Sequence, residues 1–199
     1  MEMRLKEYLY LYSILDQVLP GIAKLVSSNQ PTKFEKDKLL DFVERYWHFD
    51  IILEFSEYKF VEDYLKWCRE KGYQASQSKA HTIYELAKQG ITTLDSKKLN
   101  TQRILIESVG VLKTINKTLT TILSQMSEYA KKMPEYSEVR KMGGVGDKLA
   151  VKLIAEIGDI RRFHSAKALI AYAGIDSPPY QSGQYLGMKR KISKRGSPL

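Results

Sequence analysis

Residues 101–133 read TQRILIESVGVLKTINKTLTTILSQMSEYAKKM. Leu105, Leu112, Ile115, Leu119, Ile122, Met126, Tyr129 and Met133 recur at alternating three- and four-residue steps, and Ser108 fills the one polar position in the series. An apolar 3-4 repeat sustained over about four heptads without a proline predicts one long helix with a single seam. Gly110 falls inside the pattern and weakens it locally, because glycine costs a helix about 1 kcal/mol relative to alanine. The seam fits two arrangements. It packs the helix onto its own domain, or it joins two protomers as a coiled coil or an antiparallel helical pair and makes the chain a homo-oligomer through residues 101–133. Asn116 and Thr120 do not decide between them.

Upstream, residues 1–100 read as several short helices. Leu5, Leu9, Tyr12 and Leu15 or Asp16 keep helical spacing until Pro20-Gly21 ends the segment. Ser28 to Thr32 is a turn. Leu39, Phe42, Val43 and Tyr46 open a second amphipathic segment, and Phe60 to Cys68 and Thr82 to Lys88 predict two more, separated by Gly72 and a Ser/Gln-rich loop. The aromatic residues Tyr46, Trp47, Phe49, Phe55, Tyr58, Phe60, Tyr64 and Trp67 are most simply core. Glu54, Glu57, Glu62 and Asp63 fall on helical patterns and read as solvated faces. The expected fold is mainly α: a helical region (1–100), a long coiled-coil-like helix (101–133) and a third region (134–199) that starts where Pro134 stops the helix.

Composition narrows the function. The chain has 199 residues, 43% of them hydrophobic, which is globular rather than disordered material. The single cysteine, Cys68, excludes a disulfide framework and a cysteine-based zinc site, and fits a reducing, cytoplasmic setting. The opening residues, with Glu2, Arg4, Lys6 and Glu7, are not a signal peptide. No apolar run has the length a bilayer span needs, so no membrane partner is expected. The net charge of +9 suits a polyanionic partner. It is unevenly spread: residues 134–199 hold 12 Lys/Arg against 6 Asp/Glu, a net of +6. From Gln184 onward stand Lys189, Arg190, Lys191, Lys194 and Arg195 with no acidic residue, amid Gly183, Gly187 and Gly196. That pattern describes an extended basic arm.

Val139 to Phe163 reads VRKMGGVGDKLAVKLIAEIGDIRRF. A short helical start leads into Gly143-Gly144-Val145-Gly146, Asp147 stands where a cap is wanted, and Leu149, Ala150, Leu153, Ile154 and Ile157 make an apolar helical face ended by Gly158. This resembles a helix-hairpin-helix element. Glycines allow positive φ and leave backbone N–H groups uncovered, and the amino end of the second helix favours an anion. A DNA phosphate fits there beside Gly144, Val145 and Gly146, with Lys148 and Lys152 adding charge; such contacts bind without reading sequence. The competing reading is a purely structural helix turn. It is not a P-loop, because the GxxxxGK[ST] spacing is missing.

Beyond the hairpin, several pieces follow in order: Ala155-Glu156-Ile157-Gly158-Asp159-Ile160, Arg162-Phe163, Ala171-Tyr172-Ala173-Gly174-Ile175, Gln181-Ser182-Gly183 and Ile192-Ser193-Lys194-Arg195-Gly196. With Pro134-Glu135-Tyr136 and Gly144-Val145-Gly146, the run resembles the carboxy-terminal transposase domain of the Piv/MooV-like, IS-one-ten type insertion-sequence transposases. The preceding helices are loosely similar to that family's linker and coiled-coil region. The resemblance implies a DNA-handling module of a mobile element. It implies a serine that attacks the DNA backbone, which maps best onto Ser182 and second onto Ser193, and in some members a structured guide RNA. His164 reads as a helix-start or surface residue. The family's divalent metal is held by acidic residues of an amino-terminal RuvC-like domain. Residues 1–100 lack the strand alternation of such a domain, so no cofactor is expected in this chain. The family pattern also runs on past Leu199 into a further helix. The expectation is therefore a transposase fragment, truncated at its end and inactive by itself. Two alternatives stand beside it: a non-catalytic nucleic-acid-binding and dimerisation module, and a structural helical protein whose basic tail only aids solubility.

Overall fold

The apolar spacing of the first two-thirds of the chain is realised as helices. The computed structural model describes residues 2–27, 36–176, 181–182, 185–186, 192 and 196. Its helices are α1 (Glu2–Val18), α2 (Ile22–Val26), α3 (Lys38–Arg45), α4 (Phe49–Leu53), α5 (Glu57–Lys71), α6 (Gln77–Gln89), α7 (Leu99–Lys131), α8 (Pro134–Lys141), α9 (Asp147–Ile157) and α10 (Ala166–Tyr172), with a 3-10 turn at Ile160–Arg162. The fold is mainly α. Among the described residues the only β-structure is a pair of two-residue strands, β1 (Gln181–Ser182) and β2 (Tyr185–Leu186), antiparallel with Ser182 opposite Tyr185. The chain divides into two compact units, Met1–Ser124 and Gln125–Leu199, and the division falls inside α7. The Ser28–Thr32 turn lies outside the described residues.

In the first unit, helix starts coincide with residues able to satisfy first-turn N–H groups. Asp37 accepts from Leu39 and Leu40, Ser76 from Lys79, and His48 Nδ1 from Asp50. That bond assigns the His48 proton to Nε2, which lies 3.0 Å from the Leu94 carbonyl. Gly72, with φ 68°, ends α5 in the left-handed conformation that glycine takes without penalty. The core is an aromatic cluster: Phe42, Tyr46, Phe60, Tyr64 and Trp67 are buried, and ring centroids approach to 5.0 Å for Phe42–Tyr46 and 5.4 Å for Tyr46–Phe60. Such pairs add to their area burial. Tyr58 departs from the expected core and is exposed. α4 has no counterpart in the sequence reading.

Two faces differ from their spacing. On α1 the Leu5–Leu9 stripe faces outward, 61% and 58% exposed, while Tyr8, Leu11, Ile14, Leu15 and Val18 are buried. This helix is apolar on both sides, so periodicity shows the helix without choosing its inner face. Among the acidic residues read as solvated, Asp63 is 2.6 Å from Arg45 and also accepts from the Tyr46 hydroxyl, and Glu57 is 2.8 Å from His81.

α7 packs on its own unit through its first half only. Leu105, Val109 and Leu112 join the main core, and Thr101, Ser108 and Asn116 are buried with them. Asn116 takes a hydrogen bond from Arg4 Nε at 2.7 Å, and the Arg4 guanidinium lies 4.7 Å over the Tyr8 ring. One turn earlier, Lys113 is 2.7 Å from both Asp41 and Glu44 of α3, and the Tyr73 hydroxyl donates to Asp41 at 2.8 Å. Burial alone would raise the Asp41 pKa, but the hydrogen bonds from Lys113 and Tyr73 outweigh it and hold the carboxyl below its ordinary value. Past Asn116 the seam opens, and Ile122 is 45% exposed.

Among the described residues the second unit has a small core. Ala130 at the end of α7 and Val151 and Ile154 of α9 are buried, with Met126, Tyr136 and Val139 packed against them.

Two stability predictions follow from the first unit. A Cβ on Gly90 would strike the Phe49 ring, so Gly90→Ala should cost about 1–3 kcal/mol. A Cβ on Gly110 meets nothing within 4 Å, so Gly110→Ala should gain about 0.5–1 kcal/mol. Urea unfolding of both variants checks the pair, and an unchanged Gly90→Ala midpoint would refute the close approach. A depressed carboxylate stabilises fully above its unfolded pKa and ceases to as pH falls through the folded one. Asp41→Asn should therefore cost about 1–2 kcal/mol at pH 7, and its gap to wild type should close below about pH 4.

Candidate nucleic-acid interface

Pro134 is the first residue of α8, where its fixed φ suits a helix start and its missing N–H costs nothing. α8 ends at Lys141, and the chain turns through Gly143-Gly144-Val145-Gly146 into α9. The Val145 N–H donates to the Met142 carbonyl at 3.1 Å and closes the turn. Gly144 has φ 81°, a conformation that needs glycine. Gly146 is the N-cap of α9, with φ −81° and ψ 172°, and brings no side-chain hydrogen bond to the first turn.

Asp147 does not cap α9, contrary to expectation. It is the first helical residue, and its carboxylate is held by α8: the Tyr136 hydroxyl donates to it at 3.0 Å and Arg140 Nε lies 2.7 Å away. Arg140 also donates to the Val145 carbonyl. Partial desolvation, then the hydrogen bond to Asp147, raises the Tyr136 phenol above its ordinary pKa. α8 thus fastens both the hairpin and the start of α9 with polar groups.

Glycine is required by the fold at only one of the three positions. Side chains built on Gly143, Gly144 and Gly146 would meet nothing within 4 Å; Gly144 alone is demanded by its backbone. The hairpin surface is bare, and Lys148 and Lys152 of α9 are exposed beside it. On the inner side, Ala150, Val151 and Ile154 are buried. Leu149, read as part of the apolar face, is 45% exposed, because the buried stripe runs through Val151 instead.

After α9, Asp159 caps the 3-10 turn through the Arg161 N–H at 2.9 Å and pairs with the Arg161 guanidinium at 2.9 Å. Those hydrogen bonds hold Asp159 below and Arg161 above their ordinary pKa values. Arg162 lies 4.7 Å over the Phe163 ring and 4.6 Å over the Tyr172 ring. The Tyr172 hydroxyl is bonded to the Glu156 carbonyl and carboxylate at 3.2 and 3.1 Å. His164 is exposed. A Cβ on Gly196 would strike the backbone of Tyr172, Ala173 and Gly174, so two of the separate sequence pieces meet there.

Other expected site residues are placed only in part. Ser182 lies in β1, where only its backbone is described. Ser193, Lys189, Arg190, Lys191, Lys194 and Arg195 lie outside the described residues. Among the described residues no group of His, Cys, Asp and Glu could hold a metal ion, and no helix is long and apolar enough to cross a membrane. The sequence reading missed Tyr136 and Arg140, whose i, i+4 spacing puts them on one side of α8, and Arg162.

Residues 136–199 match a family model described as Transposase IS116/IS110/IS902 family. The match supports an IS110-type transposase carboxy-terminal region and a role in transposition. Neither the curated proteins nor the solved structures searched gave a match.

The hairpin geometry separates its glycines. Gly144→Ala should lower the opening free energy of the α9 amides by about 1–2 kcal/mol, whereas Gly143→Ala and Gly146→Ala should change it by about 0.5 kcal/mol or less. Native-state hydrogen exchange reads all three, and equal effects would contradict the assigned φ of Gly144.

Proposed function

We propose that the second unit binds DNA during transposition by seating backbone phosphates on the Gly143–Lys148 hairpin. The observation that carries this reading is the bare hairpin: glycine stands at 143 and 146, where neither packing nor backbone requires it, and no side chain of Gly146 covers the amino end of α9. A phosphate seated there would gain from exposed N–H groups and the helix dipole. Lys148 and Lys152 add charge, and the basic arm with Lys189, Arg190, Lys191, Lys194 and Arg195 supplies more.

Ser182 holds the nucleophile position by family resemblance, with Ser193 second. A serine hydroxyl needs an activating neighbour, and Lys189 and Arg190 are its nearby cations in sequence, suited to a charged phosphate. The divalent metal of the family belongs with an acidic RuvC-like domain. No cluster of metal-ligating side chains exists among the described residues, so they do not fit that ion and no step is assigned to it. A guide RNA is a second polyanion the same surface would accept. The half of the α7 seam beyond Asn116, where Ile122 is exposed, is the segment offered to a second copy. That exposure favours the second reading, a non-catalytic nucleic-acid-binding and dimerisation module. A cytoplasmic location agrees with both.

Fluorescence anisotropy with a short DNA duplex tests the reading. The chain should bind with a strong salt dependence. Gly146→Val should weaken binding about tenfold or more, by blocking phosphate approach, while leaving the helical content unchanged. Lys148→Glu and removal of the tail after Gly183 should each weaken it too. No binding at low salt would sink the proposal. Loss of strand exchange on Ser182→Ala in a longer relative carrying the acidic domain would separate the catalytic from the non-catalytic reading.

A further inference from the structure

The arginines described in the second unit are not equivalent. Arg140 is committed to Asp147 at 2.7 Å, and Arg161 is committed to Asp159 at 2.9 Å. Arg162 forms no ion pair among the described residues; its contacts are the faces of Phe163 and Tyr172, at 4.7 and 4.6 Å. It is exposed to solvent. A guanidinium has five N–H donors around its plane. Two ring contacts hold it in place without consuming those donors as a bidentate carboxylate would.

The rings are themselves held. Phe163 and Tyr172 meet edge-on, with centroids 5.3 Å apart and planes at 60°. The Tyr172 hydroxyl is tied to Glu156 on α9. A long cationic side chain normally loses rotamer freedom when it grips a ligand. Here the aromatic pair restrains the side chain before any ligand arrives. We infer that Arg162 is a phosphodiester-binding residue, its guanidinium set in place by the Phe163–Tyr172 pair for an anionic backbone outside the chain. This deepens the proposed DNA binding and rests on it. Phe163 and Tyr172 are positioning residues, and Arg161, already neutralised by Asp159, is not part of the contact.

The same anisotropy experiment, run on the full chain with a labelled DNA duplex and separately with an RNA hairpin, decides the matter. Arg162→Ala should weaken binding about tenfold at low salt and reduce the slope of log K against log salt by about one. Arg162→Lys should keep the salt slope but recover only part of the affinity, because an ammonium lacks the planar fork. Arg161→Ala should stay within about twofold of wild type. Tyr172→Phe, which keeps the ring and removes its tie to Glu156, should lower affinity with the salt slope intact. Should Arg162→Ala melt early, Arg162→Gln carries the same test. Wild-type affinity and slope in the folded Arg162 variant would overturn the inference and leave the hairpin reading standing. A chain that binds neither DNA nor RNA would overturn both. Arg162-dependent binding of the RNA alone would support the phosphodiester contact with RNA as its source.

Discussion

A helix of 33 residues cannot bury its own apolar face, and α7 shows what that constraint requires. Its first half finds partners in the aromatic core of the first unit: Leu105, Val109 and Leu112 are fully or almost fully buried. Burial of each such side chain is worth about 1.5–3 kcal/mol. Polar contacts then set the register. Asn116 meets Arg4, and Lys113 meets Asp41 and Glu44. A buried polar residue with one matching partner discriminates against a slipped arrangement more than it adds stability. The helix hands its last turns to a second core, smaller among the described residues, to which it contributes the buried Ala130.

The second unit is organised differently as a result. With few apolar side chains among the described residues to lock the hairpin, polar groups of α8 do so, Tyr136 and Arg140 converging on Asp147. The same logic recurs one segment later, where Tyr172 reaches back to Glu156. These contacts are exposed or half-exposed, and such ion pairs contribute about 1 kcal/mol or less each. Their effect is to specify geometry. The loop they hold keeps a surface free of side chains at Gly143, Gly144 and Gly146.

Much of this was legible in the residues. The 3-4 spacing from Leu105 revealed the long helix, Pro134 marked its end, and the Gly-Val-Gly step marked the turn between α8 and α9. The choice of faces was not legible where a helix is apolar all round. On α1 both the Leu5–Leu9 and the Leu11–Leu15 stripes satisfy the spacing, and only tertiary packing selects the second. The same holds for Val151 over Leu149 on α9. Nor could spacing show how far a core extends along a seam: Leu112 and Ile122 both lie on the seam, ten residues apart, yet one is buried and the other open. Asp147 was misassigned because acidic residues suit both the cap and the first turn, and the choice here was made by Arg140 from the other helix. Arg162 was missed because its distinction is relational: nothing in the local sequence says which of two adjacent arginines a carboxylate will claim.

The small core that the described residues of the second unit form ties its integrity to its occupancy. Ala130, Val151 and Ile154 supply little cohesion compared with the aromatic cluster upstream. A ligand that binds only the folded unit adds RT ln(1 + [L]/Kd), about 2.7 kcal/mol at a concentration one hundred times Kd. That is as much as burying one further large apolar side chain. A polyanion bound as proposed would therefore act on this unit as a missing piece of its interior, and its concentration would set the folded fraction as well as the fraction bound.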